Sequence, residues 1–224
     1  MTFIVYKGVS SASGNLRNRV KAGRIKHRNI FRADAKIDRR ERLPQLFGNP
    51  DDYLFVSGLA GAAKDTAALT DDGPNLYTMA GTMGAAVPMG LGVALNAPDR
   101  EVVVVTGDGE LLMGLGALVT VASMAPANLS IVCIDNAQHG ETGGQSGHTG
   151  KLTDLETIAK GSGIPSTMTI SDPGRIADAA AFLQSAPGPR FLNARVLGGA
   201  PSAYKRNMDP AECRVRFRNA VLGA

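Results

Sequence analysis

Apolar and polar positions fall in blocks along this chain, and two of the apolar blocks are continuous: EVVVVT at 101–106 and LSIVCI at 129–134. Runs this short, rich in β-branched residues and bounded by turn residues, mark strands buried on both faces, as in parallel sheets. Between them Leu111–Met124 carries a helix-like pattern, so the three together predict a parallel βαβ unit. Weaker signals predict an amphipathic helix over Asp38–Phe47, a strand over Tyr53–Ser57, a helix start within Gly61–Leu69 and a short extended approach at Leu76–Met79. An apolar helix rich in small residues is expected over Met83–Leu95, ended by Asn96-Ala-Pro98 and close to another backbone. After the central unit come a polar, glycine-rich loop (Asn136–Lys151), a helix near Thr153–Lys160, a strand over Ser166–Ile170, a helix over Pro173–Gln184 with Asp172 at its start, and a last strand over Arg190–Val196. This alternation predicts one α/β domain, residues 38–224, with a doubly wound parallel sheet and helices on both faces.

Two polar turns close the continuous strands: GDG at 107–109 and, after 25 further residues, DN at 135–136. In a parallel sheet both lie at carboxyl ends of neighbouring strands, the edge where open α/β sheets bind ligands. Asp108 offers a carboxylate and Asn136 a side-chain carbonyl, hard oxygen donors that suit Mg²⁺ shared with a phosphorylated ligand. Gly107 and Gly109 leave Asp108 in a tight, unobstructed turn, and the helix that follows turns free N–H groups toward a diphosphate.

Composition narrows the class. The chain has 224 residues, 44% apolar and 20% charged, which is ordinary for a globular protein with one good core. Its 27 glycines concentrate in loops 81–92, 107–116 and 140–150, around the same two turns. Cys133 and Cys213 form no disulfide framework and suit a reducing compartment, so a cytoplasmic location is expected. The start of the chain lacks the pattern of a secretory signal, and no apolar run is long enough to span a membrane, so no membrane partner is expected. Charge is uneven: residues 1–42 hold twelve Lys and Arg against three Asp and Glu, whereas 43–224 hold twelve against seventeen. Residues 1–37 therefore read as a basic N-terminal extension, solvated and partly disordered; a nucleic-acid site, an acidic docking partner and a transit peptide are the alternatives. Arg206, Arg214, Arg216 and Arg218 read as a solvated face near the carboxyl end.

The GDG and DN turns at this spacing, with Gly81-Thr-Met-Gly84 upstream, resemble the diphosphate-binding domain of thiamine diphosphate enzymes. The likeness runs from about Tyr53 to Val196, and the wording DNxxxGxTGxQ is similar to the sulfopyruvate and phosphonopyruvate decarboxylases. The resemblance implies a thiamine diphosphate-binding fold in which Asp108, Asn136 and the backbone carbonyl of Gln138 hold Mg²⁺. It implies coenzyme contacts from Gly81, Thr82, Met83, Gly107, Gly109, Glu110 and Gly140. Gly81 would give its carbonyl to the aminopyrimidine, and Met83 would bend the coenzyme into a V. The family often has Ser where Glu110 stands. A carboxylate aimed at phosphate repels it, so only the backbone N–H of Glu110 is expected to be used.

The loop HGETGGQSGHTG at 139–150 offers polar groups to an anionic substrate, with His148 as the candidate contact and His139 ranked behind it because the family usually has an aromatic there. The resemblance further implies a lyase subunit that decarboxylates a small anionic 2-oxo acid. A partner subunit would bind the pyrimidine and bring the activating Glu, in an α₂β₂ or larger hetero-oligomer. Two other readings compete: a 2-oxo acid oxidoreductase β subunit or carboligase with the same coenzyme, and a non-catalytic protein using the basic extension on nucleic acid. Iron–sulfur ligation, common in such oxidoreductases, is out of reach of two cysteines 80 residues apart.

Overall fold

The computed structural model describes residues 34–223. Six strands form one parallel sheet in the order β2-β1-β3-β4-β8-β7: β1 Tyr53–Ser57, β2 Leu76–Thr78, β3 Glu101–Gly107, β4 Leu129–Asp135, β7 Ser166–Ile170 and β8 Arg190–Arg195. A two-residue antiparallel pair, β5 Gln138–His139 with β6 Gln145–Ser146, folds the glycine-rich loop into a small hairpin. The helices are α1 Arg39–Arg42, α2 Ala60–Thr70, α3 Ala86–Asn96, α4 Asp108–Met113, α5 Ala117–Met124, α6 Leu155–Gly161, α7 Ile176–Ser185 and α8 Pro210–Leu222. The doubly wound α/β fold expected from the pattern is the fold observed.

The continuous apolar runs are explained by the two faces they serve. Val102 and Val104 of β3, with Ile131 and Cys133 of β4, enter one cluster with Leu91 of α3, Leu118 and Val121 of α5, Leu155 of α6 and Phe217 of α8. Val103 and Val105, with Val132 and Ile134, enter the other, with Leu46, Phe47, Ala67 of α2 and Ile176 and Leu183 of α7. Each such side chain contributes on the order of 1.5–3 kcal/mol when fully buried, and a strand with both faces covered is built mostly of apolar residues.

Several elements differ from the sequence expectation for identifiable reasons. The helix expected over Leu111–Met124 is two, α4 and α5, separated at Gly114-Leu115-Gly116. A Cβ on Gly114 would stand 2.1 Å from the carbonyl oxygen of Gly84, and one on Gly84 would stand 2.8 Å from the Gly114 nitrogen. Two backbones thus touch where the chain breaks. Helix α3 begins at Ala86, after Gly81 and Gly84, which both have positive φ. Its small residues do let a neighbour approach, but at Gly90 that neighbour is β3 of the same sheet: a Cβ there would lie 2.1 Å from Val104 Cγ2.

Packing also reaches back before residue 38. Ile37 is fully buried and bridges Val196, and Lys36 N–H donates to Ser171 O at 2.8 Å. The rest of the basic extension, residues 1–33, lies outside the described residues. Of the arginines near the carboxyl end, Arg216 is no solvated bystander: it donates to Asp72 O at 2.9 Å and fixes α8 to the turn between α2 and β2. Among the described residues both cysteines are buried and in no disulfide, and no helix is long and apolar enough to cross a membrane.

Candidate functional site

The chain passes from β1 to β2 on one side of the sheet and from β3 to β4 on the other, so the strand order reverses between β1 and β3. Such a switch point opens a crevice at the carboxyl ends of the two strands. A cleft of about 640 Å³ opens there, with Asp108, Asn136 and Gln138 in its wall. The pairing of Gly107 with Ile134 sets Asp108 level with Asp135 and leaves Asn136 one residue beyond.

Asp108 is the first residue of α4 and is 3% exposed. Burial and the neighbouring Asp135 carboxylate push its carboxyl up to about 6, against a hydrogen bond from Thr149. The Thr149 hydroxyl lies 2.9 Å from Asp108 Oδ2 and 2.7 Å from Asp135 Oδ1, so a single hydroxyl hydrogen stands between two buried carboxylates. Two like charges at this spacing are costly in a low-dielectric corner, and a divalent cation removes the cost. Asn136 has its side-chain oxygen turned back to accept the Gln138 N–H at 3.1 Å, across Ala137 in the left-handed region at φ +58. One carboxylate, one amide oxygen and one backbone carbonyl are the oxygen donors Mg²⁺ takes alongside phosphate and water, so these residues fit that ion. Among the described residues no group of three or more His, Cys, Asp or Glu side chains offers a competing metal centre.

The glycines act differently from the tight turn expected. Neither Gly107 nor Gly109 has positive φ; Gly107 is extended and caps α4, and Gly109 makes room for the His139 ring, whose Cε1 would lie 2.8 Å from a Cβ there. Glu110 does not point along the axis of α4 toward the cleft. Its carboxylate is buried beside Gly58, where a Cβ would overlap Oε2, and accepts the Leu59 N–H at 3.3 Å. Burial pushes its carboxyl up. The repulsion expected from this side chain is thus avoided by geometry, and Gly58 is what permits it.

Met83, His139 and Gly140 share the cleft wall with Asp108. Gly81 and Thr82 are exposed on the turn just before Met83 and do not line the cleft. His148 is not brought to it either. The hairpin faces Gly147, Thr149 and Gly150 inward and leaves His148 exposed, so His139 is the loop histidine beside Asp108's helix. Thr149 went unnoticed in the sequence because an isolated hydroxyl in a loop carries no signature. The opposite wall, Leu59 to Lys64 with Arg39 behind it, also went unnoticed, although SGLAG after a strand and before a helix is a strand–turn–helix signal.

Comparison with known proteins gives three findings. The family model described as "Thiamine pyrophosphate enzyme, C-terminal TPP binding domain" matches residues 62–194. Sulfopyruvate decarboxylase subunit beta of Methanocaldococcus jannaschii is 42% identical over 136 residues, 61% of this chain and 70% of that protein. Phosphonopyruvate decarboxylase of Streptomyces viridochromogenes is 35% identical over 192 residues, 85% of this chain but 48% of the relative, so the chain spans about half of that enzyme. Among solved structures, the thiamine diphosphate-dependent 4-hydroxybenzoylformate decarboxylase of Rhodococcus jostii shares the fold, with TM-score 0.59 at 18% identity over 75% of this chain and 34% of that one.

Proposed function

The chain belongs to the thiamine pyrophosphate enzymes, as their C-terminal TPP binding domain, and from that premise we propose that it is the diphosphate-binding subunit of a two-subunit decarboxylase. Its substrate is a small anionic 2-oxo acid, sulfopyruvate or phosphonopyruvate. The observation that carries the reading is the meeting of Asp108 and Asn136 at neighbouring strand tips, on one cleft, with a carboxylate pair that calls for a cation. A relative named as a subunit, and a second of which this chain matches about half, support a divided active site.

In this reading Asp108, Asn136 and the Gln138 carbonyl hold Mg²⁺, and the N–H groups of Gly109 and Glu110 at the start of α4 meet the diphosphate. Gly107 and Gly140 leave room for it. Gly81, Thr82 and Met83 receive the aminopyrimidine end. When bound, thiamine diphosphate supplies a nucleophilic ring carbon and an electron sink for the loss of carbon dioxide from the 2-oxo acid. This chain's contribution is to hold that ring in place and to keep its charged tail neutralised. The companion subunit brings the activating Glu, and His139 faces the space left for substrate.

Calorimetry of the full chain with its companion, titrated with thiamine diphosphate in the presence and absence of Mg²⁺, tests the binding. Carbon dioxide release from sulfopyruvate, phosphonopyruvate and pyruvate tests the substrate. Magnesium-dependent uptake that Asp108→Asn abolishes is the expected result; uptake indifferent to Mg²⁺ and to that substitution refutes the reading.

A further inference from the structure

Arg39 opens α1, is 6% exposed and lies in the wall of the cleft. Its Nε donates to Asp65 of α2, whose other oxygen accepts the Ser202 N–H at 2.8 Å. Nη1 and Nη2 make no hydrogen bond among the described residues, and neither is a fully enclosed atom. Both lie over the first turn of α2, where a Cβ on Gly61 would stand 2.5 Å from Nη2 and 2.9 Å from Nη1. Glycine at that position makes room for the guanidinium against α2, at the wall of the cleft.

The other charges in the cleft wall sharpen the contrast. Asp108 and Glu141 are acidic, the Glu110 carboxylate is turned in beside Gly58, and Lys64 is half-buried and already 3.7 Å from Glu141. Glu110 takes the Leu59 N–H just before α2, so a carboxylate already stands beside that helix end. A planar fork of donors held by a carboxylate behind it, with its front edge unpaired, matches the geometry of a tetrahedral oxyanion. Its near-complete burial makes each such contact stronger than it is in water.

We propose that Arg39 forms an oxyanion subsite in this cleft, binding a phosphate, phosphonate or sulfonate group through Nη1 and Nη2. The coenzyme reading above matters only for which oxyanion arrives: the terminal phosphate of thiamine diphosphate, or the anionic tail of the 2-oxo acid. Asp65 orients the fork, and Gly61 makes room for it.

The test uses the full-length chain with two kinds of probe: inorganic pyrophosphate with Mg²⁺ for the coenzyme tail, and methylphosphonate and methanesulfonate for the substrate tail. Binding is read by calorimetry and by the rise in melting temperature that each probe causes. Arg39→Gln is expected to weaken one kind of probe by about 10- to 100-fold, the range for losing a hydrogen-bonded charge partner. Arg39→Lys loses less, and Asp65→Asn, which removes the charge that orients the guanidinium, weakens the same probe by a smaller factor than Arg39→Gln. Loss for pyrophosphate identifies the coenzyme as the source, and loss for the two small anions alone identifies the substrate.

A purely structural Arg39 lowers the melting temperature of the variants but leaves the probe-induced rise unchanged, and that result overturns the proposal. So does a wild-type chain that binds neither kind of probe. Asp108→Asn separates the two ideas. If it abolishes magnesium-dependent pyrophosphate binding while Arg39→Gln leaves all probes bound, the coenzyme reading stands and the subsite falls. The reverse pattern sinks the coenzyme reading and keeps the subsite.

Discussion

The two ends of the cleft are built to different degrees of completion. At the strand tips, Asp108 and Asp135 are almost fully buried, share the Thr149 hydroxyl and are fixed by the pairing of β3 with β4. Beside the other end, where Met83 lies in the wall, Gly81 and Thr82 are exposed outside it, and Met113, next to the Gly84–Gly114 contact, is 68% exposed. The end at the strand tips, the cation end of the proposed function, is fixed by the sheet. Among the described residues nothing is laid over the apolar side chains and bare backbone of the far end, the arrangement expected of a surface that a second body completes.

Substitutions should therefore act on the two ends in different ways, and the largest effect belongs to the cation end. Asp108→Ala is expected to weaken magnesium-dependent coenzyme binding beyond the roughly 10- to 100-fold that loss of an outer-shell partner costs. Retained binding in calorimetry would break the contrast at once. Thr149→Val, which strips the shared hydroxyl but leaves both carboxylates, should cost about tenfold in the same measurement. Gly114→Ala sets a methyl against the Gly84 carbonyl and strains the joint between the two ends. A loss of about 1–3 kcal/mol, or a melting point lower by about 2–4 °C for each kcal/mol, is the expected outcome of a thermal scan.

Proton competition distinguishes the ends without any mutation. Asp108 is raised to about 6 in the folded chain, so it binds its proton more tightly folded than unfolded. In the absence of cation its contribution to stability is present below the ordinary aspartate range and is lost as pH rises through about 6. Cation binding needs the ionised form, so Mg²⁺ affinity should fall as pH drops below about 6, and an affinity flat from pH 5 to 7.5 contradicts this. Smallest is Met83→Ala: binding of magnesium pyrophosphate to the chain alone should change by less than about threefold, since the side chain lies at the unfinished end, away from the carboxylates. A large loss there would merge the two ends into one.

Much of this was legible in the sequence. The runs at 101–106 and 129–134 gave β3 and β4 nearly to the residue, because a strand buried on both faces is built of a nearly continuous apolar run. The GDG and DN turns placed Asp108 and Asn136 at neighbouring tips for the same reason. Helix boundaries near glycine were harder. Helical periodicity ran through Gly114 and Gly116 without a signal, since what breaks the helix is the Gly84 carbonyl, a partner 30 residues away. The sequence leaves only the backbone N–H of Glu110 for a phosphate but does not say where its carboxylate goes; that direction depends on Gly58, 52 residues earlier. His139 ranks behind His148 in the sequence because the family usually has an aromatic there, and local composition does not say which loop residues face the cleft.

By itself, the order of apolar and polar residues determined the layered α/β architecture, the parallel neighbours at its centre and the oxygen donors at their tips. Those features follow from local periodicity and from the burial that short β-branched runs require. Only the tertiary structure decided that Thr149 joins two acids, that Glu110 turns under the β1 tip and that Arg39 leans over Gly61. These contacts link segments tens of residues apart through gaps one methyl group wide, and close packing across such distances has no trace in local sequence.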